Sequence, residues 1–123
     1  AGMLNLDTHI LIHALADELT PNERKILSKS PWGISAIVLW EIEKLRSLKR
    51  IGLDLADFDV KQVFQKLTVF PITVEVCVNL RKLDFKSDPA DEIIAATSLT
   101  HEIKLLTRDR KILGSKVVPL ARC

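Results

Sequence analysis

Apolar positions along this chain follow two alternating rhythms. Short runs rich in β-formers are each followed by a stretch where apolar residues return every three or four positions. The first run, Met3-Leu4-Asn5-Leu6, stops at Asp7-Thr8, after which Ile10, Leu11, Ala14 and Leu15 mark one face of a short helix. Thr20-Pro21-Asn22-Glu23 opens a second helix, with Thr20 at the N-cap, proline in the first turn and Glu23 at the capping-box position. Trp32 to Ser35 reads as a second strand and residues 36–49 as a helix. Gly52 to Asp57 turn the chain, and residues 59–67 have helical spacing. Thr68-Val69-Phe70-Pro71-Ile72 is a third strand, placed at a sheet edge because proline cannot donate to a ladder. Residues 73–83 read as helix, Asp88-Pro89 starts another that runs to about His101, Ile103 to Thr107 forms a fourth strand and Lys116 to Pro119 a short fifth. Strands separated by helices predict right-handed crossovers and a parallel sheet. The chain therefore reads as an α/β layer structure without repeats or low-complexity tracts.

Composition narrows the picture only a little. At 123 residues and 47% hydrophobic, the chain holds apolar material for one core and reads as one domain over residues 3–123. Met3 reads as the native start, with Ala1 and Gly2 a leftover scar. The formal charge of +2, from 18 basic and 16 acidic residues, does not by itself mark a nucleic-acid binder. Cys77 and Cys123 make no disulfide framework, and no apolar run approaches the roughly 20 residues of a membrane span. A cytoplasmic protein without a membrane anchor is expected. Cys77, between Val76 and Val78, reads as a buried small hydrophobe, and Trp32 and Trp40 as core or helix-interface residues.

Chemistry enters with four acids. Ligands of open α/β sheets bind outside the carboxyl ends of the strands. Asp7 ends the first strand and Asp109 follows the fourth by two residues, so both belong on that edge. Glu41 and Asp91 are carried by helices. Helical spacing puts Glu41 on one stripe with Val38, Leu45 and Leu48, while Glu43 faces away. A carboxylate facing inward is costly unless a cation compensates it. Each acid also has a plain structural reading. Asp7 and Asp109 suit the N-caps of the helices that follow them, and Asp88-Pro89-Ala90-Asp91 is a complete helix start. Taken together, four carboxylates on one edge would repel one another and titrate high unless a cation joined them. Carboxylates without histidine or thiolate partners suit Mg²⁺ or Mn²⁺, and such a site favours phosphodiester hydrolysis. His9 and His13, four apart, lack a third ligand and read as packing or capping residues.

At these residues the chain resembles the PIN-domain ribonucleases, and within them the VapC-type toxins of toxin–antitoxin pairs. Leu6-Asp7-Thr8-His9-Ile10-Leu11 is similar to the opening motif, Ser35-Ala36-Ile37-Val38-Leu39-Trp40-Glu41-Ile42 to the second, Asp88-Pro89-Ala90-Asp91 with Ile93-Ile94-Ala95-Ala96 to the third, and Leu105-Leu106-Thr107-Arg108-Asp109 to the fourth. The resemblance implies a three-layer α/β/α fold around a central, mainly parallel sheet of about five strands. It implies an endoribonuclease with Asp7, Glu41, Asp91 and Asp109 as catalytic metal ligands for Mg²⁺ or Mn²⁺. Thr8, Ser35, Asp88 and Thr107 then stand behind those acids. RNA is the implied substrate, a small antitoxin the partner, and a homodimer the assembly. Arg108, Arg110 and Lys111 beside Asp109, and Lys44 with Arg46, Lys49 and Arg50 after Glu41, are candidate phosphate contacts, although each also suits a solvated helix face. Glu92 departs from the arginine many relatives carry there.

Three other readings share parts of this pattern. A haloacid-dehalogenase-like phosphatase needs a second acid two residues after Asp7, where His9 stands. A receiver-type signalling domain needs an aspartate ending a central strand, and neither Trp32 to Ser35 nor Thr68 to Ile72 is followed by one. A housekeeping PIN nuclease without an antitoxin is the alternative, while the intact acids argue against a PIN fold kept only as a binding module.

Overall fold

In a computed structural model describing residues 2–122, the strands are β1 (Leu4–Leu6), β2 (Trp32–Ser35), β3 (Thr68–Phe70) and β4 (Lys104–Leu106). The helices are α1 (Thr8–Leu15), α2 (Pro21–Leu27), α3 (Ala36–Ser47), α4 (Phe58–Gln65), α5 (Val74–Asn79), α6 (Pro89–His101) and α7 (Arg110–Leu113). Ala1 and Cys123, with the readings attached to them, lie outside the described residues. All strand pairs are parallel, in the order β3-β2-β1-β4, so β3 is the edge strand its proline predicts. The crossover helices lie around this sheet, and α6 packs on β1, β2 and β4.

The local signals act as the residue types dictate. Thr20 accepts from Glu23 N while Glu23 accepts from Thr20 N, which completes the capping box of α2. Thr73 caps α5 by accepting from Val76 N, and Ser35 both ends β2 and accepts from Ile37 N at the start of α3. Beyond α5 the chain tightens into a 3-10 turn over Leu80–Lys82, so the helix expected to reach residue 83 stops earlier. Gly33 is required by a close approach in the sheet. A Cβ there would sit 2.6 Å from Phe70 Cε2 and 2.8 Å from Met3 Sδ. The core gathers Leu6, Ile10, Leu11, Ile34, Val38, Ile42, Ile94, Leu105 and Ile112, all near or fully buried.

Several expectations are corrected. The fifth strand over Lys116 to Pro119 is reduced to an isolated bridge between Leu105 and Leu120. Its backbone donors are used elsewhere: Lys116 N donates to Asp84, and Val117 N and Val118 N donate to Ser115 Oγ. Pro119 has no N–H to offer a ladder. Trp40 is 56% exposed because it lies on the face of α3 opposite Val38 and Ile42, and Leu48 is 53% exposed because the inward stripe ends after Leu45. Cys77 is exposed as well, since Val76 alone fills the buried face of α5. Trp32 is half-buried and donates its indole N–H to Leu27 O at 2.9 Å. No helix among the described residues is long and apolar enough to cross a membrane.

Candidate active site

Strand order decides where a ligand can sit. With β1 flanked by β2 on one side and β4 on the other, the chain winds in opposite directions from β1, and the crevice lies outside the carboxyl ends of β1 and β4. Asp7 follows β1 immediately, and Asp7 N donates to Leu106 O at 3.3 Å, which continues the β1–β4 register past Leu6↔Leu106. Thr107 directly follows β4. Its hydroxyl donates to Asp7 Oδ2, while its oxygen accepts from Asp109 N at 3.0 Å. One buried hydroxyl thus joins the acid of the first motif to the backbone of the fourth.

The plain structural reading is right for two acids. Asp7 Oδ1 accepts from Ile10 N at 2.8 Å as the N-cap of α1. Asp109 Oδ1 accepts from Lys111 N at 2.8 Å and Ile112 N at 3.2 Å as the N-cap of α7. For the third motif it holds in part, with Pro89 opening α6 and Asp91 in its first turn. Asp88 occupies the N-cap position of α6 and makes no side-chain capping bond. Asp91 accepts from Ser87 Oγ at 3.1 Å, and Glu92 accepts from Ser87 N at 2.9 Å, so Glu92 holds the backbone that leads into α6. Glu41 is half-buried and accepts from Thr8 Oγ1, which ties α3 to the first turn of α1.

The electrostatics bring the acids together. Burial raises the carboxyl of Asp7 above its ordinary range, against the lowering effect of Thr107, Ile10 N and His9, and the charge on Asp109 adds to the rise. Burial also raises Asp91, and the charges of Glu41, Asp109 and Asp7 push it further up. Carboxylates from β1, α3, α6 and the β4–α7 turn therefore share one field. Each is turned toward a hydroxyl or amide of this chain, and among the described residues no three His, Cys, Asp or Glu side chains are grouped tightly enough to hold a metal ion as they stand. The donors are all oxygen and the field is short of positive charge, which suits a hard divalent cation. Holding it requires the remaining lone pairs of these carboxylates to converge on one point while their present partners are kept.

The other candidates divide by what they touch. Arg108 is engaged within the protein: its guanidinium donates to Glu23 at 2.7 and 2.6 Å and to Glu18 O at 3.3 Å. This contact holds Glu23 down at about 2 and anchors the β4–α7 turn to α2. Arg46 is paired with Glu43 at 2.7 Å. Lys44 lies over the Trp40 ring at 5.4 Å, while Arg110 and Lys111 are exposed beside Asp109. His9 is exposed, and His13 stands 3.7 Å from Glu18. Two contributors went unread in the sequence. Ser87 precedes the third motif, and Glu23 is spent there as a capping residue; neither carries a local sign of its long-range partner.

The family model of the PIN domain matches residues 5–114, and the chain belongs to the PIN-domain family, whose members are generally nucleases. Solved structures share its fold. VapBC2 from Rickettsia felis, bound to a DNA fragment from its promoter, is 15% identical with a TM-score of 0.73, over 97% of this chain and 97% of that one. DNA-bound VapBC from Salmonella typhimurium is 19% identical with a TM-score of 0.71, over 98% of each chain. FitAcB from Neisseria gonorrhoeae is 20% identical with a TM-score of 0.69, over 98% of this chain and 97% of that one. No curated protein sequence matches the chain.

Proposed function

We propose that this chain is a VapC-type toxin, an endoribonuclease dependent on Mg²⁺ or Mn²⁺ and restrained by a small antitoxin. The observation that carries this reading is the shared field of the four acids, in which Asp91 responds to Glu41, Asp109 and Asp7 at once. Asp7, Glu41, Asp91 and Asp109 would hold the cation. When bound, it supplies a water of lowered pKa and offsets charge on the phosphate. The chain's own residues do the positioning. Thr107 and Ile10 N orient the two oxygens of Asp7, Thr8 orients Glu41, and Ser87 orients Asp91. Arg110 and Lys111, exposed and directly following Asp109, are assigned to the RNA phosphates. Arg108 is left to its structural pair with Glu23.

The antitoxin is supported by the company the fold keeps, since VapBC and FitAB structures contain toxin–antitoxin pairs. It is also supported by large apolar side chains left outside the core, Trp40 on α3 and the 72% exposed Phe58 on α4 among them. A homodimer belongs to the same reading. The test is RNA cleavage by purified protein with Mg²⁺ or Mn²⁺, with chelator, and with Asp7→Asn. Equal cleavage in all three would overturn the metal mechanism. Growth arrest on expression in a bacterium, relieved by Asp7→Asn, tests the toxin role, and a harmless wild type would favour a housekeeping nuclease.

A further inference from the structure

Asn5 breaks the rules of the strand that contains it. It lies in the middle of β1, fully buried, where a β-branched apolar residue would suit both the ladder and the core. Its Oδ1 has no hydrogen-bond partner among the described residues, a cost that a valine would not carry. The other end of the amide makes two long-range bonds. Asn5 Nδ2 donates to Ile94 O at 3.0 Å and to the fully buried Ser98 Oγ at 2.9 Å, both on α6. A carbonyl can only accept, so the amide nitrogen must face Ile94.

These bonds lie directly beneath two of the acids. Asn5 and Asp7 are two apart on a strand, so they share one face and Asp7 stands roughly 6.6 Å further along. Asp91, Ile94 and Ser98 are three and seven apart on a helix, which places them on one stripe, with Asp91 about 4.5 Å beyond Ile94 and about 10.5 Å beyond Ser98. Helix α6 starts at the carboxyl edge and runs back along β1. Asp7 and Asp91 therefore rise from the same fastening to the same edge.

We propose that Asn5 is a positioning residue that fastens β1 to α6 and thereby sets the separation of Asp7 and Asp91. The inference rests on the metal-site reading for its consequence, and on the two hydrogen bonds for its geometry. Sliding the strand by one position would turn Asp7 to the other face of the sheet, and the polar pair of Asn5 with Ser98 is a register mark that apolar packing cannot supply.

The experiment compares wild type with Asn5→Val, Asn5→Thr and Ser98→Ala. Melting temperature is read across a Mn²⁺ titration, and amide hydrogen exchange is read over residues 91–98. Asn5→Val is expected to melt within a few degrees of wild type without metal, yet to bind Mn²⁺ about 10-fold more weakly, the low end of what losing a group bonded directly to a ligand costs, because Asn5 acts on the acids only through β1 and α6. Exchange over residues 94–98 should quicken. Asn5→Thr, which keeps a donor, should recover part of both effects, and Ser98→Ala should show a smaller version. Should Asn5→Val fail to fold, Ser98→Ala carries the same comparison. Unchanged Mn²⁺ affinity with unchanged exchange would overturn the proposal. If wild type shows no response to Mn²⁺, the metal-site reading falls instead, and unchanged exchange in Ser98→Ala and Asn5→Val then removes the clamp as well.

Discussion

The Thr107 hydroxyl donates to Asp7 across 100 positions of sequence, at the point where the strand order reverses. The same oxygen accepts from Asp109 N, so Thr107 holds one acid by its side chain and the other by its backbone. Thr107→Val should leave the fold intact and lower both metal affinity and RNA cleavage about 10- to 100-fold, whereas Thr107→Ser should stay near wild type. Equal cleavage by Thr107→Val and wild type would remove the residue from the site.

Asp7 should cost stability at neutral pH when no metal is bound. Its folded carboxyl titrates above the ordinary aspartate value, with burial as the largest cause. The folded state then holds the proton more tightly than the unfolded state. The group's contribution is present below the unfolded value and is lost as pH rises through the folded one. Asp7→Asn keeps an N-cap for α1 and removes the buried charge. It is expected to melt a few degrees above wild type at about pH 7, with the difference closing toward pH 3. A lower melting temperature at neutral pH would contradict this.

Divalent metal should stabilise the wild type and not Asp7→Asn. At a free Mn²⁺ concentration 100 times the dissociation constant, binding to the folded state alone adds about 2.7 kcal/mol. Thermal unfolding with and without chelator measures it directly.

The pair of Glu23 with Arg108 gives the opposite pH dependence. Glu23 is held down at about 2 from 4.5, first by the Arg108 hydrogen bond. Its contribution is present above 4.5 and is lost as pH falls toward 2. Glu23 is 12% exposed but Arg108 is 40% exposed, so screening discounts the gain to about 1 kcal/mol. Glu23→Gln should cost that much at neutral pH and little at pH 2, and adding Arg108→Ala should cost little more. Additive losses in a double-mutant cycle would show that the two act separately.

Gly33→Ala should destabilise the sheet by roughly 1–3 kcal/mol, because the added methyl meets the Phe70 ring and Met3 Sδ inside contact distance. Chemical denaturation with an unchanged m-value and a lowered midpoint is the expected result.

Much of the architecture was legible before any coordinates. The capping box at Thr20 and Glu23, the edge placement of the proline-ended strand and the four acid positions are all local patterns, and each is visible within a few residues. The errors have physical causes too. Lys116 to Pro119 has the composition of a strand, but Asp84 and Ser115 take its donors. Asp88 stands at a helix start and makes no cap bond, because Ser87 and Glu92 hold that entry instead.

What the sequence determined by itself was most of the elements, their parallel connection and the family resemblance, with four acids as candidates. These depend on periodicity and residue type, which act over short spans of chain. Tertiary structure alone decided the rest. The order β3-β2-β1-β4 put Asp7 and Asp109 at one crevice. Contacts across 85 positions gave Arg108 to Glu23, and across 93 gave Asn5 to Ser98. Such pairings are set by how helices and strands pack in three dimensions, and neither partner carries a mark of the other in its own neighbourhood.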